Sequence, residues 1–275
     1  MSAISRVVVS LEWRRLSPWL WTALRWAPVP IAIGVLFGAW ELYVELSGIE
    51  PQVLPSPSRV IREGWAFRSD LVHGAGFTLR EAAIGFAVSV GAATLIAIAM
   101  DFSDTGRRAL YPLLVGSQTL PLIVLAPLMI VWFGFGLTPK VLLVVLVTFF
   151  PIVVGWIDGF ASTEDEARNL LRTMGAGRWQ TFRYLRFPNA LPRFFSGLRI
   201  AITYAVVAAV IAEWAGARLG EGLGVLMIQY ENSFRTDLVL AAVFVTAGIS
   251  IALFLSTYAL ERAAIPWYFR TRRRG

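Results

Sequence analysis

The chain has 275 residues, 57% of them hydrophobic and 16% charged, and a formal net charge of +7. Soluble domains hold roughly 45–50% apolar and about 25% charged residues, so this balance excludes an ordinary water-soluble enzyme and a disordered chain alike. With no Cys and one His, the sequence also excludes disulfides, thiolate chemistry, iron–sulfur clusters and His- or Cys-based metal sites.

A membrane-spanning helix needs about 20 mostly apolar residues. Gaps between charges predict six such segments in chain order. Residues 1–25 form a basic, Trp-rich cytoplasmic or interfacial segment with Arg6, Arg14 and Arg15. The apolar run that follows starts too late for a cleaved signal. The first span occupies about 26–46, within a segment 26–53 that ends in an outer loop. Glu41 and Glu45 share a helix face near its far end and are expected to reach outer water. Pro51, Pro55 and Pro57 precede an amphipathic stretch at 58–72, with Ile61, Trp65 and Val72 toward the membrane. That stretch is a lip for a partner or a simple interfacial helix. His73 falls in an outer loop with Gly74 and Gly76 and reads as structural.

The second span is expected at 82–100, with Arg107 and Arg108 in the turn after it. Residues 109–139 carry no charge, and as a straight helix would be about 46 Å long against a core of about 30 Å. They contain Pro112, Pro121 and Pro127 and close on Gly134 and Gly136. Proline breaks helices, and broken helices sit at depth only where protein or a cavity covers the freed backbone. Gln118, Pro121, Pro127 and Trp132 are therefore the candidate pathway lining. The alternative is a plain kinked span with a Gly-rich turn. Further spans follow at 141–157, 200–212 and 238–260. Glu213 lies at the outer end of the fifth, either solvated or touching solute. The tail at 268–275 carries Arg270, Arg272, Arg273 and Arg274 and reads as a headgroup anchor.

Six spans put both termini on one side. Eighteen Lys and Arg fall on that side and six on the other, which makes it cytoplasmic. The basic excess then needs no nucleic acid.

The one long inner loop, 161–193, reads ASTEDEARNLLRTMGAGRWQTFRYLRFPNALPR. Thr163, Glu164, Asp165 and Glu166 form a capped acidic helix start. The helix runs toward Met174, and Gly175 and Gly177 stop it in a left-handed cap. A second short helix, 178–186, mixes Arg with Trp179, Phe182 and Tyr184, and Pro188 and Pro192 are expected to end it. The result is a rigid knob with the aromatic–Arg composition of interface hot spots. The alternative is a basic helix resting on anionic lipid.

This loop resembles the EAA loop of binding-protein-dependent ABC importer permeases. Counting from Gly175, Leu185 fills the apolar place and Phe187–Pro188 stands where Leu-Pro is expected; Leu191–Pro192 follows. Gly175, Arg178, Phe182, Pro188, Leu191 and Pro192 match the pattern of the sulfonate, taurine and nitrate branch. The acidic–Ala pair, Glu166–Ala167, stands three positions early, and Asn169, Leu170 and Leu171 occupy its usual place. LPSPSRV, LIVLAPLMIVWFGFG, AVIAEW, GLGVLM and ERAAIPW extend the resemblance over 54–267, with a leaning toward permeases for thiamine pyrimidine precursors. It implies an all-α membrane protein of type I (MetI-like) architecture with six transmembrane helices in a prokaryotic inner membrane. It also implies a homodimer, a separate ABC ATPase dimer and an extracytoplasmic solute-binding protein. The coupling residues would be Glu166, Ala167, Gly175, Ala176, Arg178, Trp179, Phe182, Pro188, Leu191 and Pro192. No cofactor is expected in this chain, since ATP and magnesium would bind the ATPase; the only Lys, Lys140, lacks the glycine spacing of a phosphate-binding loop. An ion-driven secondary transporter would need a relay of intramembrane acids, for which only Glu213 and Asp158 come close. A membrane enzyme would need convergent His, Asp or Glu.

Overall fold

A computed structural model describes residues 28–117, 119–216 and 221–271. Gln118, Arg218, the N-terminal segment 1–25 and the last arginines, 272–274, lie outside the described residues. The described chain is helical: α1 (Pro28–Ser47), α2 (Pro57–Ala66), α3 (Arg68–Phe102), α4 (Asp104–Ser117), α5 (Leu122–Phe133), α6 (Leu137–Ala161), α7 (Asp165–Thr173), α8 (Arg178–Thr181), a π-turn (Phe182–Arg186), α9 (Phe187–Ala215), α10 (Leu223–Asn232), α11 (Thr236–Ala264) and α12 (Pro266–Thr271). Among the described residues five helices are long and apolar enough to cross a membrane. They become six if α4 and α5, bent 101° apart, count as one broken span.

The 109–139 stretch therefore breaks, just before α5 at Pro121 and again at Gly134–Gly136, but not at Pro112 or Pro127. Pro121 caps α5 with an extended backbone, Pro112 and Pro127 sit inside α4 and α5, and Gly134 and Gly136 adopt positive φ before α6.

Two other expectations are corrected. The 58–72 stretch is not one helix: it divides at Phe67, where α2 ends and α3 begins. His73, Gly74 and Gly76 are not a loop but part of α3, which starts well before residue 82. The reason is tertiary. Gly74 lies flat against Leu226 and the backbone of Gly222 and Leu223, and this contact buries one face of the first turns of α3 while Arg68, Ser69, Asp70 and His73 stay exposed. Ile61, Trp65 and Val72 are exposed, as amphipathicity requires.

The centre of the bundle is the crossing of α6 with α9, flanked by α3. Membrane helices gain nothing from hiding apolar surface from one another, so small residues that allow close approach set their interfaces. Gly155 and Gly159 on α6 face Gly197 and Ala190 on α9, with no room for a further carbon at any of the three glycines. Around this seam Trp156 stacks on Phe194 at 4.2 Å and donates its indole N–H to Thr94 of α3 at 3.0 Å. Helix α1 packs at the periphery, buries no residue fully, and touches α11 through Phe37, Trp40 and Phe244. Glu41 does not simply reach water. It accepts the Ser58 amide at 2.9 Å and the Ser58 hydroxyl at 2.6 Å, which fastens α1 to the start of α2.

Candidate functional site

Two regions carry chemistry beyond packing, one at each end of the bundle. The first is the hairpin. Helix α7 starts at Asp165 with Asp165 and Glu166 in its first turn, where acids favour the helix dipole. No side chain caps it: Glu164 occupies the cap position without a cap bond, and the Thr163 hydroxyl has no partner. At the other end Gly175 takes φ +83°. Its amide bonds Arg172 O and the Ala176 amide bonds Leu171 O, the paired bonds of a Schellman stop. Gly177 does not share in this, having φ −74°.

The second arm does not end at its prolines. From Arg178 the helix continues into the fourth long apolar span, 38 residues to Ala215. The π-turn explains how. Phe187 N–H reaches back to Phe182 O, which widens the turn just ahead of Pro188. A proline lacks the donor for the usual bond and its ring crowds the carbonyl four residues back. The wider turn removes that clash, so Pro188 sits in the first turn of α9 and Pro192 inside it.

The hairpin is keyed into the bundle. Phe182 is buried among Phe160, Phe187 and Phe102. Arg186 pairs with Asp101 at the C-terminal end of α3 at 2.6 Å. Trp179 stacks beside Phe182 and Phe102 yet remains 60% exposed. Glu166, Gly175 and Arg178 are exposed, Ala167, Ala176, Pro188, Leu191 and Pro192 are half-buried, and all the resemblance residues fall on this one element.

The second region joins α3, α6, α9 and α10. Glu213 is not a solvated helix end. It is fully buried, with Oε1 accepting from Thr78 Oγ1 at 2.7 Å and Oε2 from the Gly224 amide at 2.6 Å. Thr78 in turn accepts the Leu223 amide at 2.9 Å. Beside it Lys140 Nζ donates to Glu81 Oε1 at 2.6 Å and to Glu221 O at 3.3 Å. A cavity of about 330 Å³ lies against this pair, walled by Phe77, Arg80, Phe135 and Leu137. Pro121, Pro127 and Trp132 are exposed along α5, so they and Glu213 do not share a surface. Further out, Arg59 and Arg235 each hold Asp237 at 3.0 Å, and Arg235 also reaches Glu63 at 2.8 Å. The bond to Asp237 pushes the Arg235 pKa above its ordinary value.

Thr78, Glu81, Lys140 and Gly224 were not marked by sequence reasoning as a group. A signal existed: the only Lys immediately precedes one apolar run and Glu81 immediately precedes another. Nothing in the sequence pairs them across 59 residues. Thr78→Val keeps the shape but removes the hydroxyl, leaving Glu213 Oε1 and the Leu223 amide unsatisfied. It is expected to destabilise the protein by about 1–3 kcal/mol, with Thr78→Ser close to wild type, as read by thermal unfolding in detergent.

The described residues thus form a polytopic all-α bundle with a keyed hairpin at one end. The chain belongs to the family of binding-protein-dependent transport system inner membrane components, whose model matches residues 83–267. It is 38% identical to the formylaminopyrimidine transport permease ThiX of Halalkalibacterium halodurans, over 85% of this chain and 92% of that one. It is 34% identical to the riboflavin transport system permease RibX of Chloroflexus aurantiacus, over 94% and 96%, and 32% identical to the taurine transport system permease TauC of Escherichia coli, over 94% and 96%. The fold matches the inward-facing MetNI methionine ABC transporter with a TM-score of 0.57 at 17% identity, over 72% of this chain and 96% of that one. The protein is thus a type I ABC importer permease subunit in the inner membrane, working with an ABC ATPase and a solute-binding protein. ATP hydrolysis lies in the separate subunit.

Proposed function

We propose that two copies of this chain form the import pathway for a small polar solute of the aminopyrimidine class, with both termini cytoplasmic and the 161–193 hairpin docked on the ATPase. The observation that carries this reading is the mechanical continuity of the hairpin: its second arm is the start of a span, and Arg186–Asp101 ties it to α3. A push on the exposed Trp179 face therefore moves α9 and α3 together as rigid bodies. The identity to the formylaminopyrimidine permease supports the solute class. Gln118, Pro121, Pro127 and Trp132 are assigned to the pathway, and Glu213 to holding its outer wall in shape. ATP and magnesium bind the ATPase, and this chain needs no cofactor.

The test is uptake by the complex reconstituted with its ATPase and binding protein, using formylaminopyrimidine, riboflavin and taurine in parallel. ATP-dependent uptake of the first alone is expected; uptake of taurine alone overturns the solute assignment. Gly175→Pro replaces a residue at φ +83° with one locked near −65°. It and Trp179→Ala are expected to leave insertion intact but to cut uptake at least about tenfold while ATP hydrolysis continues. Normal uptake by both variants removes the docking role of the hairpin.

A further inference from the structure

The root of the hairpin contains a basic cavity of about 390 Å³, enclosed by the C-terminal end of α3, by α7 and by the second arm. Arg168, Arg172, Arg178 and Arg186 line it, and Asp101 is its one acidic wall residue. Arg186 is matched by Asp101 and Arg168 by Asp165 on its own helix. Arg172 and Arg178 have no carboxylate within ion-pair distance among the described residues. The Nε donors of Arg168 and Arg186 are buried and have no hydrogen-bond partner among the described residues. Arg168 and Arg172 are four apart, so they stand on one helix face and repel each other. The cavity has donors and positive charge in excess of what the hairpin itself can satisfy.

We propose that this cavity receives an acidic side chain of the ATPase subunit, so that at this interface the membrane subunit supplies arginine and the motor the carboxylate. The inference rests on the docking of the hairpin proposed above. The early position of Glu166–Ala167 agrees with it, because this loop does not carry its acid where the resemblance places one. A carboxylate suits the site: the guanidinium fork binds its two oxygens side by side and is less strongly hydrated than an ammonium. The rim favours a protein occupant over a lipid headgroup. Leu170, Met174, Trp179 and Tyr184 are each at least 60% exposed around the same hairpin. Aromatic residues, Met and Arg are the side chains enriched at protein interfaces. Docking would neutralise the Arg168–Arg172 repulsion and draw α7 and the second arm onto one shared anion. The hairpin would then tighten when the motor is seated and loosen when it leaves.

The experiment is equilibrium binding of the purified cognate ATPase to this permease in nanodiscs of phosphatidylcholine, at low and high salt. Arg172→Gln with Arg178→Gln is expected to weaken binding about tenfold or more and to flatten its salt dependence. Trp179→Ala is expected to weaken binding with the salt dependence kept. Arg107→Gln, which removes an exposed charge from the first turn of α4 rather than from the predicted connecting turn, is expected to change neither. Wild-type affinity and salt slope in the double variant overturn the charge assignment while leaving the docking intact if Trp179→Ala still weakens binding. If neither substitution matters, the docking reading falls as well. A difference between wild type and the double variant seen only in discs with phosphatidylglycerol marks a lipid site and overturns the proposal. Thermal unfolding of the double variant, expected to match wild type, separates lost binding from lost structure.

Discussion

Lys140→Met is expected to abolish most of the folded, extractable protein. Lys140 and Glu81 bury almost all of their side chains, and their contact is 2.6 Å. Removing the cation leaves a carboxylate among α3, α6 and α9 with no neutralising partner but Arg80 at the cavity wall. Breaking a buried pair from one side costs about 3–5 kcal/mol, a large part of the stability of a typical domain. The second carboxylate, Glu213, adds to the imbalance because it shares the same contact region through Thr78, one helical turn from Glu81. Replacing both partners tests the origin of the loss. Lys140→Met with Glu81→Leu removes the charge together with its counter-charge and is expected to recover most of the folded yield. Detergent-solubilised size-exclusion profiles and thermal midpoints measure both variants. An unchanged midpoint in the single variant would show that the pair contributes nothing to the fold.

Gly197→Ala is expected to have the next largest effect. A carbon added at Gly197 would collide with Pro151 O and stand 3.2 Å from Gly155 Cα, both on α6. Neither is the end of a flexible side chain, so the helices themselves must part. Forced overpacking costs about 1–3 kcal/mol where a core can adjust, and the rigid backbone here puts Gly197 at the upper end. The damage extends beyond the site, because Trp156, Phe194 and Phe195 are packed around the same crossing. Gly76→Ala provides the contrast: nothing lies within 4 Å of its added carbon, and alanine favours the helix by about 1 kcal/mol. Thermal midpoints are expected to fall for the first and to hold or rise for the second. Equal midpoints would mean that the α6–α9 seam is looser than its geometry.

Local rules explain what was readable beforehand. The six apolar segments were visible because lipid leaves a backbone no partner but itself, and uninterrupted apolar runs are the consequence. The break between α4 and α5 was visible because proline cannot donate, and the Gly175 stop because a Schellman end asks for a residue free at positive φ. Local rules failed where a wider backbone turn or a tertiary contact intervened. Pro188 and Pro192 looked like an ending, yet a π-turn carried the helix past them into α9. The loop assigned to His73, Gly74 and Gly76 became helix because α10 covers that turn of α3. Glu213 looked like a wet helix end beside Trp214, but the Gly222–Gly224 segment folds back over it, and only a residue without a side chain fits there.

The sequence alone determined that this chain lives in a bilayer, which five or six segments can cross it, and that the 161–193 loop is a hairpin rich in arginine. Those properties depend on composition, spacing and backbone chemistry within a few turns of helix. Only the tertiary structure decided which charges meet. Lys140 finds Glu81 across 59 positions, Thr78 finds Glu213 across 135, and Arg186 finds Asp101 at the far end of another helix. The reason is that hydropathy tells a helix to enter the membrane but not which neighbour to choose. In lipid that choice falls to the shapes of small residues at the crossings, and the buried charges are paired according to where those crossings put them.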